Sequence, residues 1–406
     1  MMSDDKIKQL KFTSIQRYKM QKELFLLDPE VVFLNHGSFG ACPRPVFEVY
    51  QEWQRRLELQ PVQFLGVDLD NYLYQARLEL GGYINCQAKD IVYIPNATHG
   101  VNIVARSIQL NPGDEILTTN QEYGACNFAW EHVCNKTGVI YNRQPITMPF
   151  ESTEQIMDQL WQGVTPKTKI IYISHITSPT SLTMPVQMIC QRAHQAGILT
   201  LIDGAHAPGQ IALDLASIQA DFYVGNCHKW MLSPKGAGFL YARPEVQNLI
   251  EPLVVSWGYQ SKYAPPRESS FIDYLQWTGT KDPAAVLSVP AAIAFMEENH
   301  WNEVRASCHH ILHYAMDTIG ELTGLQHIYP LDSDFYHQMG TIPIPRVKDL
   351  SELKSRLLTE YKIEIPYIEW DNHQYLRLSV QGYNTLDEIN QLVHALSELL
   401  PIIVEE

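Results

Sequence analysis

From residue 91 onward, short apolar runs alternate with stretches whose apolar residues recur at helical spacing. "IVYI" (91–94) is a compact β-type run, and "ATHGVNIVARSIQL" after it reads as a helix with Asn96 placed to cap its start. "DEILTT" (114–119), "GVIYN" (138–142) and "KIIYISHI" (169–176) follow as strands. "VQMICQRAHQAG" reads as a helix closing on Gly197, and "ILTLID" (198–203), "ADFYVG" (220–225) and "GAGFLYA" (236–242) complete the strand series. Runs this apolar, separated by helices, predict a mainly parallel sheet covered on both faces. After about residue 285 the pattern changes. "MGTIPIP", the helix "DLSELKSRLLTEY", "IEIPYIEW", "QYLRLSV" and the helix "TLDEINQLVHALSELL" predict a smaller α+β unit. Between the two, "YQSKYAPPRESSFIDYLQWTGTKDP" (259–283) reads as a long loop of the kind that carries function.

Composition narrows the function classes. The chain has 406 residues, 45% hydrophobic and 18% charged, which is core material for two packed units. Its formal net charge of −15 argues against nucleic acid or an anionic membrane surface as partner, because both require a basic face. The seven cysteines form no CxxC pair, which fits a reduced, cytoplasmic setting better than a disulfide framework. The first 25 residues lack the apolar core of a signal peptide, and no run approaches the length of a membrane span. A soluble cytoplasmic protein is the expectation.

The candidate chemistry centres on "GNCHKWMLSPKGAGFLY" (225–241), which sets Lys229 in an apolar, glycine-rich neighbourhood rather than on a charged helix face. Asp203 closes the strand "ILTLID" and is followed by the small residues "GAHAPG". Thr98 stands where "IVYI" turns into a helix, offering a hydroxyl and free amides to an anion. In open α/β sheets, ligands bind beyond the carboxyl ends of strands, so an acid, an amine and an anion cradle converge there. Pyridoxal phosphate asks for that trio: a Schiff-base lysine, a carboxylate for the pyridine nitrogen and a phosphate site. A charge pair ~4 Å apart at an effective dielectric of ~20 contributes ~4 kcal/mol, or roughly three pK units, enough to keep a proton on a pyridine.

The stretches "FLNHGSFG" (33–40), "NATHGVN" (96–102), "SHITSPTSLTMPV" (174–186), "LIDGAHAPG" (201–209), "HKWMLSPKGAGFLY" (228–241), "WTGTKDP" (277–283) and "LRLSVQGYNT" (376–385) carry a resemblance. Together, in this order, the chain resembles the class V aminotransferase family of fold-type I pyridoxal phosphate enzymes, most closely the isopenicillin N epimerase-like branch. The resemblance implies an α/β fold-type I architecture. It comprises an N-terminal arm (1–35), a large cofactor-binding domain with a mainly parallel seven-stranded sheet (36–285) and a small α+β domain (286–406). It implies that Lys229 forms the Schiff base, Asp203 binds the pyridine nitrogen and His206 hydrogen-bonds the phenolic oxygen. The Ala97 amide, Thr98 and His228 would cradle the phosphate, Gly279 and Thr280 would reach the phosphate of a neighbouring subunit, and Arg377 would clamp a substrate carboxylate. Tyr123 is the candidate for stacking on the ring, and His36 a candidate for touching substrate near the cleft mouth. A homodimer with shared active sites acting on a small amino acid follows, with no nucleic acid or membrane partner and no metal.

The shared chemistry is removal of a Cα proton from an amino acid or small peptide, and epimerisation, transamination and β-elimination all remain open. The desulfurases of this family carry a persulfide-forming cysteine before the carboxylate-binding arginine. "EIPYIEWDNHQYLRLS" has none, which disfavours that route but leaves a cysteine- or cystine-type C–S β-lyase as the alternative. An alternative of another class is a non-catalytic dimeric binding module. The "SELK" spacing at 351–354, the His309/His313 pair and "GAG" at 236–238 lack the companion residues of a β-lactamase, a zinc protease or a dinucleotide site.

Overall fold

Seven of the apolar runs pair into one sheet. In chain order they are β1 (Ile91–Ile94), β2 (Glu115–Thr119), β3 (Ile140–Gln144), β4 (Thr168–Ser174), β5 (Leu199–Gly204), β6 (Phe222–Asn226) and β7 (Gly238–Ala242), and the order across the sheet is β1-β7-β6-β5-β4-β2-β3. The computed structural model describes residues 22–262 and 268–404. Residues 1–21 of the expected N-terminal arm, and 263–267 of the expected long loop, lie outside the described residues.

Strands β3, β2, β4, β5 and β6 run parallel, as the alternation with helices predicts. Ile170, Ile171, Tyr172 and Ile173 of β4 are all fully buried, so neither face of the sheet's centre meets water. The departure from the parallel pattern is β7. The segment after β6 forms no helix, so the crossover that parallel pairing requires is missing. The chain instead turns back, and β7 lies antiparallel to both β6 and β1.

The helix Ala97–Ser107 packs against β5, β6 and β7. Its position depends on Gly100, where an added Cβ would stand 2.5 Å from Val224 Cγ1 of β6. Asn96 caps this helix as expected, its Oδ1 accepting from the His99 amide at 2.9 Å. The stretch read as a long loop contains a helix of its own, Ser270–Gln276, with the Ser269 hydroxyl accepting from the Ile272 amide.

A second unit is built on β8 (Met339–Ile344), β9 (Tyr367–Trp370) and β10 (His373–Ser379), an antiparallel sheet in the order β9-β10-β8. The long helix Trp301–Thr323 packs on β8 and on the helix Leu386–Ile403. The latter starts with a reciprocal capping box between Thr385 and Glu388. The short strand Val32–Phe33 pairs in parallel with Ile363–Glu364. Among the described residues this unit takes 22–45, 179–182 and 297–404, and the sheet unit takes 46–178, 183–262 and 268–296. The division thus falls at Met296/Glu297, inside the helix Val289–Glu298, where the expectation set it near 285. Among the described residues no helix is long and apolar enough to cross a membrane.

Candidate active site

The parallel strands deliver their carboxyl ends to one edge of the sheet. Glu122 and Tyr123 follow β2, β4 ends on Ser174, β5 carries Asp203, and β6 ends on Asn226, three residues before Lys229. Ser174 stands beside Asp203, and Asp203 beside Val224, in the strand register.

Asp203 is buried, and its donors are few. Its Oδ1 accepts from the Ala205 amide at 2.9 Å, and its Oδ2 from the Tyr172 hydroxyl at 3.3 Å and the Cys126 thiol at 3.7 Å. Burial pushes its carboxyl above the ordinary range, against the opposing pull of the Ala205 amide and the Lys229 charge. A carboxylate in that position holds its charge best when a cation is brought to it.

Lys229 is held by a pinned turn. The Cys227 and His228 amides donate to the Ala237 carbonyl, Ser233 N–H to Cys227 O, and Leu232 N–H to Lys229 O. Gly209, with φ of 87°, lets the "GAHAPG" segment pass against this turn, since a Cβ there would stand 2.3 Å from the Trp230 carbonyl. The Lys229 Nζ lies 3.3 Å from His206 Nε2, and Trp230 Nε1 donates to His206 Nδ1 at 3.3 Å. Lysine, His206 and Trp230 thus form one chain of contacts at the edge that also carries Asp203.

The anion cradle differs from the sequence expectation in two particulars. The Ala97 amide, expected to face a phosphate, donates to Asn226 Oδ1 at 2.8 Å and is occupied. In the same first turn, His99 N–H is taken by Asn96 Oδ1 and Gly100 N–H by Asn96 O. The Thr98 amide is the one in that turn with no partner among the described residues, at the positive end of the helix dipole. His228 donates from Nδ1 to the Ala237 carbonyl at 2.8 Å, which leaves a lone pair on Nε2. Burial pushes its pKa down to about 4, so near neutrality it offers an anion no second proton.

The structure adds residues that the sequence reading missed. Glu122 is buried and wholly engaged: Oε1 accepts from the Thr119 hydroxyl at 2.6 Å, and Oε2 from Ser174 N–H at 2.7 Å and Ser174 O–H at 2.6 Å. Burial raises its pKa to about 7, with Asp203 adding to the rise and the Ser174 and Thr119 bonds opposing it. Cys126, Tyr172, Asn226 and Trp230 were missed as well. Trp230 and Glu122 sit directly beside Lys229 and Tyr123 in sequence, and adjacency is the one signal that could have found them.

Of the remaining predicted residues, Tyr123 caps the helix Gly124–Thr137, is 49% exposed, and lies one turn before Cys126, which touches Asp203. Gly279 has a φ of 115°, and Thr280 beside it is exposed. In the second unit, Arg377 of β10 is buried and donates from Nη2 to Ser38 Oγ at 3.2 Å. His36 departs from expectation. It is fully buried, with Nδ1 at 2.9 Å from the Tyr383 hydroxyl and Nε2 at 3.4 Å from Gln381 Nε2. Both ring nitrogens serve this internal network, so His36 has no nitrogen to offer a substrate.

A buried carboxylate with few donors, a lysine three residues past the neighbouring strand and a helix amide without a partner among the described residues fit a pyridine nitrogen, an aldehyde and a phosphate. The chain belongs to the class-V aminotransferase family, whose model matches residues 41–392. It is 32% identical over 389 residues to an isopenicillin N epimerase of Amycolatopsis lactamdurans, covering 93% of this chain and 97% of that one. It is 27% identical to a probable chloroplastic L-cysteine desulfhydrase of Arabidopsis thaliana, covering 95% and 86%. Among solved structures, C-DES with glycine covalently linked to its PLP cofactor superposes with a TM-score of 0.80 at 20% identity, covering 91% of this chain and 97% of that one.

Proposed function

We propose that this chain is a pyridoxal phosphate-dependent enzyme that labilises the Cα proton of an amino acid or small peptide, with epimerisation or transamination as the outcome. The observation that carries the reading is the Lys229 amine at 3.3 Å from His206 Nε2, on the strand end next to the under-compensated Asp203. When bound, the cofactor supplies an electron sink for the pair left on Cα. The protein's own groups do the rest. The Asp203 carboxylate would hold a proton on the ring nitrogen, and the Thr98 amide with the helix dipole would bind the phosphate. The Tyr123 ring would stack on the cofactor ring. Lys229 would hold the cofactor's aldehyde and would be the group placed to take and return the Cα proton as a general base. Arg377 is assigned to the substrate carboxylate as a bidentate fork, and Gly279 and Thr280 to a phosphate across a homodimer.

The second reading, a C–S β-lyase, is favoured by the likeness to the desulfhydrase. It would run without a protein persulfide. Among the seven cysteines five are buried and Cys42 and Cys86 half-buried, and burial raises the Cys86 thiol to about 12, far from a reactive thiolate.

Reduction of cofactor-saturated protein with borohydride, followed by peptide mapping, should find a pyridoxyl group on Lys229 and none in Lys229→Ala. Its absence from wild type would end the proposal. Incubation with amino acids in deuterated water then separates the outcomes. Cα deuteration with loss of chirality means epimerisation, a keto acid with aminated cofactor means transamination, and pyruvate with ammonia means elimination.

A further inference from the structure

The pair of contacts on His206 carries more information than its position alone. An indole N–H is a donor with no lone pair to offer, so the Trp230 contact requires His206 Nδ1 to be the acceptor. A proton on Nδ1 would set two donors against each other in a place where neither is solvated, since Trp230 is fully buried and His206 nearly so. The ring proton is thereby assigned to Nε2, the nitrogen that faces Lys229 Nζ at 3.3 Å. An ammonium has no lone pair to accept that proton, whereas a neutral amine has one.

We propose that Trp230 is a positioning residue that locks His206 in its Nε2–H tautomer, so that His206 acts as a one-way hydrogen-bond donor toward the Lys229 nitrogen. The lock has two consequences at the same atom. In the cofactor-free protein it favours the neutral, nucleophilic form of the amine, the form that condenses with an aldehyde. In the loaded protein it keeps an N–H aimed at the site of attachment, and His206 is barred from serving as a base through Nε2. The second consequence rests on the cofactor reading above, and the first does not.

The test uses cofactor-free protein labelled with 15N-histidine, observed by long-range nitrogen–proton NMR at pH 8, with His206→Gln to assign the resonance by its loss. The expected result is a single neutral tautomer with a pyrrole-type Nε2 and a pyridine-type Nδ1. In Trp230→Phe, which keeps an aromatic ring and removes the N–H, the same resonance should move to a mixture of tautomers. A pyrrole-type Nδ1 in wild type overturns the proposal whether or not the variant folds, as does an unchanged tautomer in a folded Trp230→Phe. Pyridoxal phosphate uptake by the folded variant, followed by its visible band, should be slower than in wild type, and an unchanged rate would remove the amine-activating role. The borohydride adduct on Lys229 is a separate readout, so failure of the tautomer lock and failure of the cofactor reading are told apart.

Discussion

Two aspartates at opposite ends of the same pair of strands have been treated in opposite ways. Asp221 stands at the amino end of β6, fully buried, and its carboxylate accepts from the Arg243 guanidinium at 2.6 Å, the Thr200 amide at 2.8 Å, the Thr200 hydroxyl at 3.1 Å and His194 Nε2 at 3.3 Å. Asp203 stands at the carboxyl end of β5 with one amide, one long phenol contact and one thiol. A buried carboxylate costs several kcal/mol unless it is paired and hydrogen-bonded. The protein seats a guanidinium directly on Asp221, whereas at Asp203 no described residue makes a direct ion pair and the Lys229 charge acts from farther off. The first is a structural clasp, and under the proposed function the second awaits a ring cation from outside.

The largest test of this contrast is Asp203→Asn. It should lower kcat/KM by roughly 10²–10³-fold, as removal of one preorganised electrostatic partner does. Thermal stability of the cofactor-free protein should hold or rise, because burial opposes the charge that the change removes; a marked drop in melting temperature would place Asp203 with the clasps. Glu122→Gln comes next and is read by pH. The Glu122 carboxyl has its folded pKa raised from 4.5 to about 7, so the folded state holds a proton that the unfolded state releases. That contribution is fully present below pH 4.5, declines as pH rises and is gone above 7. Urea titrations should show the glutamine variant equal to wild type near pH 4.5 and more stable by up to about 3 kcal/mol at pH 8. Equal curves at both pH values would break the assignment of Glu122 as the costly carboxyl.

Asp221→Asn should behave in the reverse sense to Asp203→Asn. It should destabilise by about 2 kcal/mol, the partly solvated Arg243 softening the loss, while kcat per folded molecule stays near wild type. The smallest effect belongs to Tyr172→Phe, which removes one long hydrogen bond from Asp203. The pH midpoint for the ring-nitrogen proton of bound, 15N-labelled cofactor, read by its nitrogen NMR shift, should rise by about half a unit, because the carboxylate loses a donor and would hold the ring proton harder. A fall in that midpoint would mean that the phenol is not an Asp203 donor in the loaded enzyme.

Legibility followed the range of the interaction. "IVYI" coincides with β1, whereas "GVIYN" is read two residues early because Gly138 closes the preceding helix in the left-handed region before the strand starts at Ile140. The apolar clusters of β4 to β7 were visible as runs, but the reversal of β7 depends on what pairs with it, which no local pattern records. The positions of Lys229, Asp203 and Thr98 beyond or at the ends of strands were legible because each sits at the junction of two elements. The burial of Glu122 against Ser174 was not, since Ser174 lies on another strand, and the internal network of His36 was hidden because its partner Tyr383 lies far along the chain.

What the amino-acid sequence determined by itself is therefore the set of elements and the chemical types at their ends: an apolar strand closing on an acid, another leading to a lysine, and a helix start after Asn96. These rest on local periodicity and capping, which act over a few residues. What the tertiary structure decided is which of those groups are already satisfied. Asn226 takes the Ala97 amide, the Ala237 carbonyl takes the His228 proton, and Trp230 fixes the acceptor side of His206. Burial and hydrogen bonding between distant segments set those assignments, because a polar group removed from water must find its partner wherever the fold brings one.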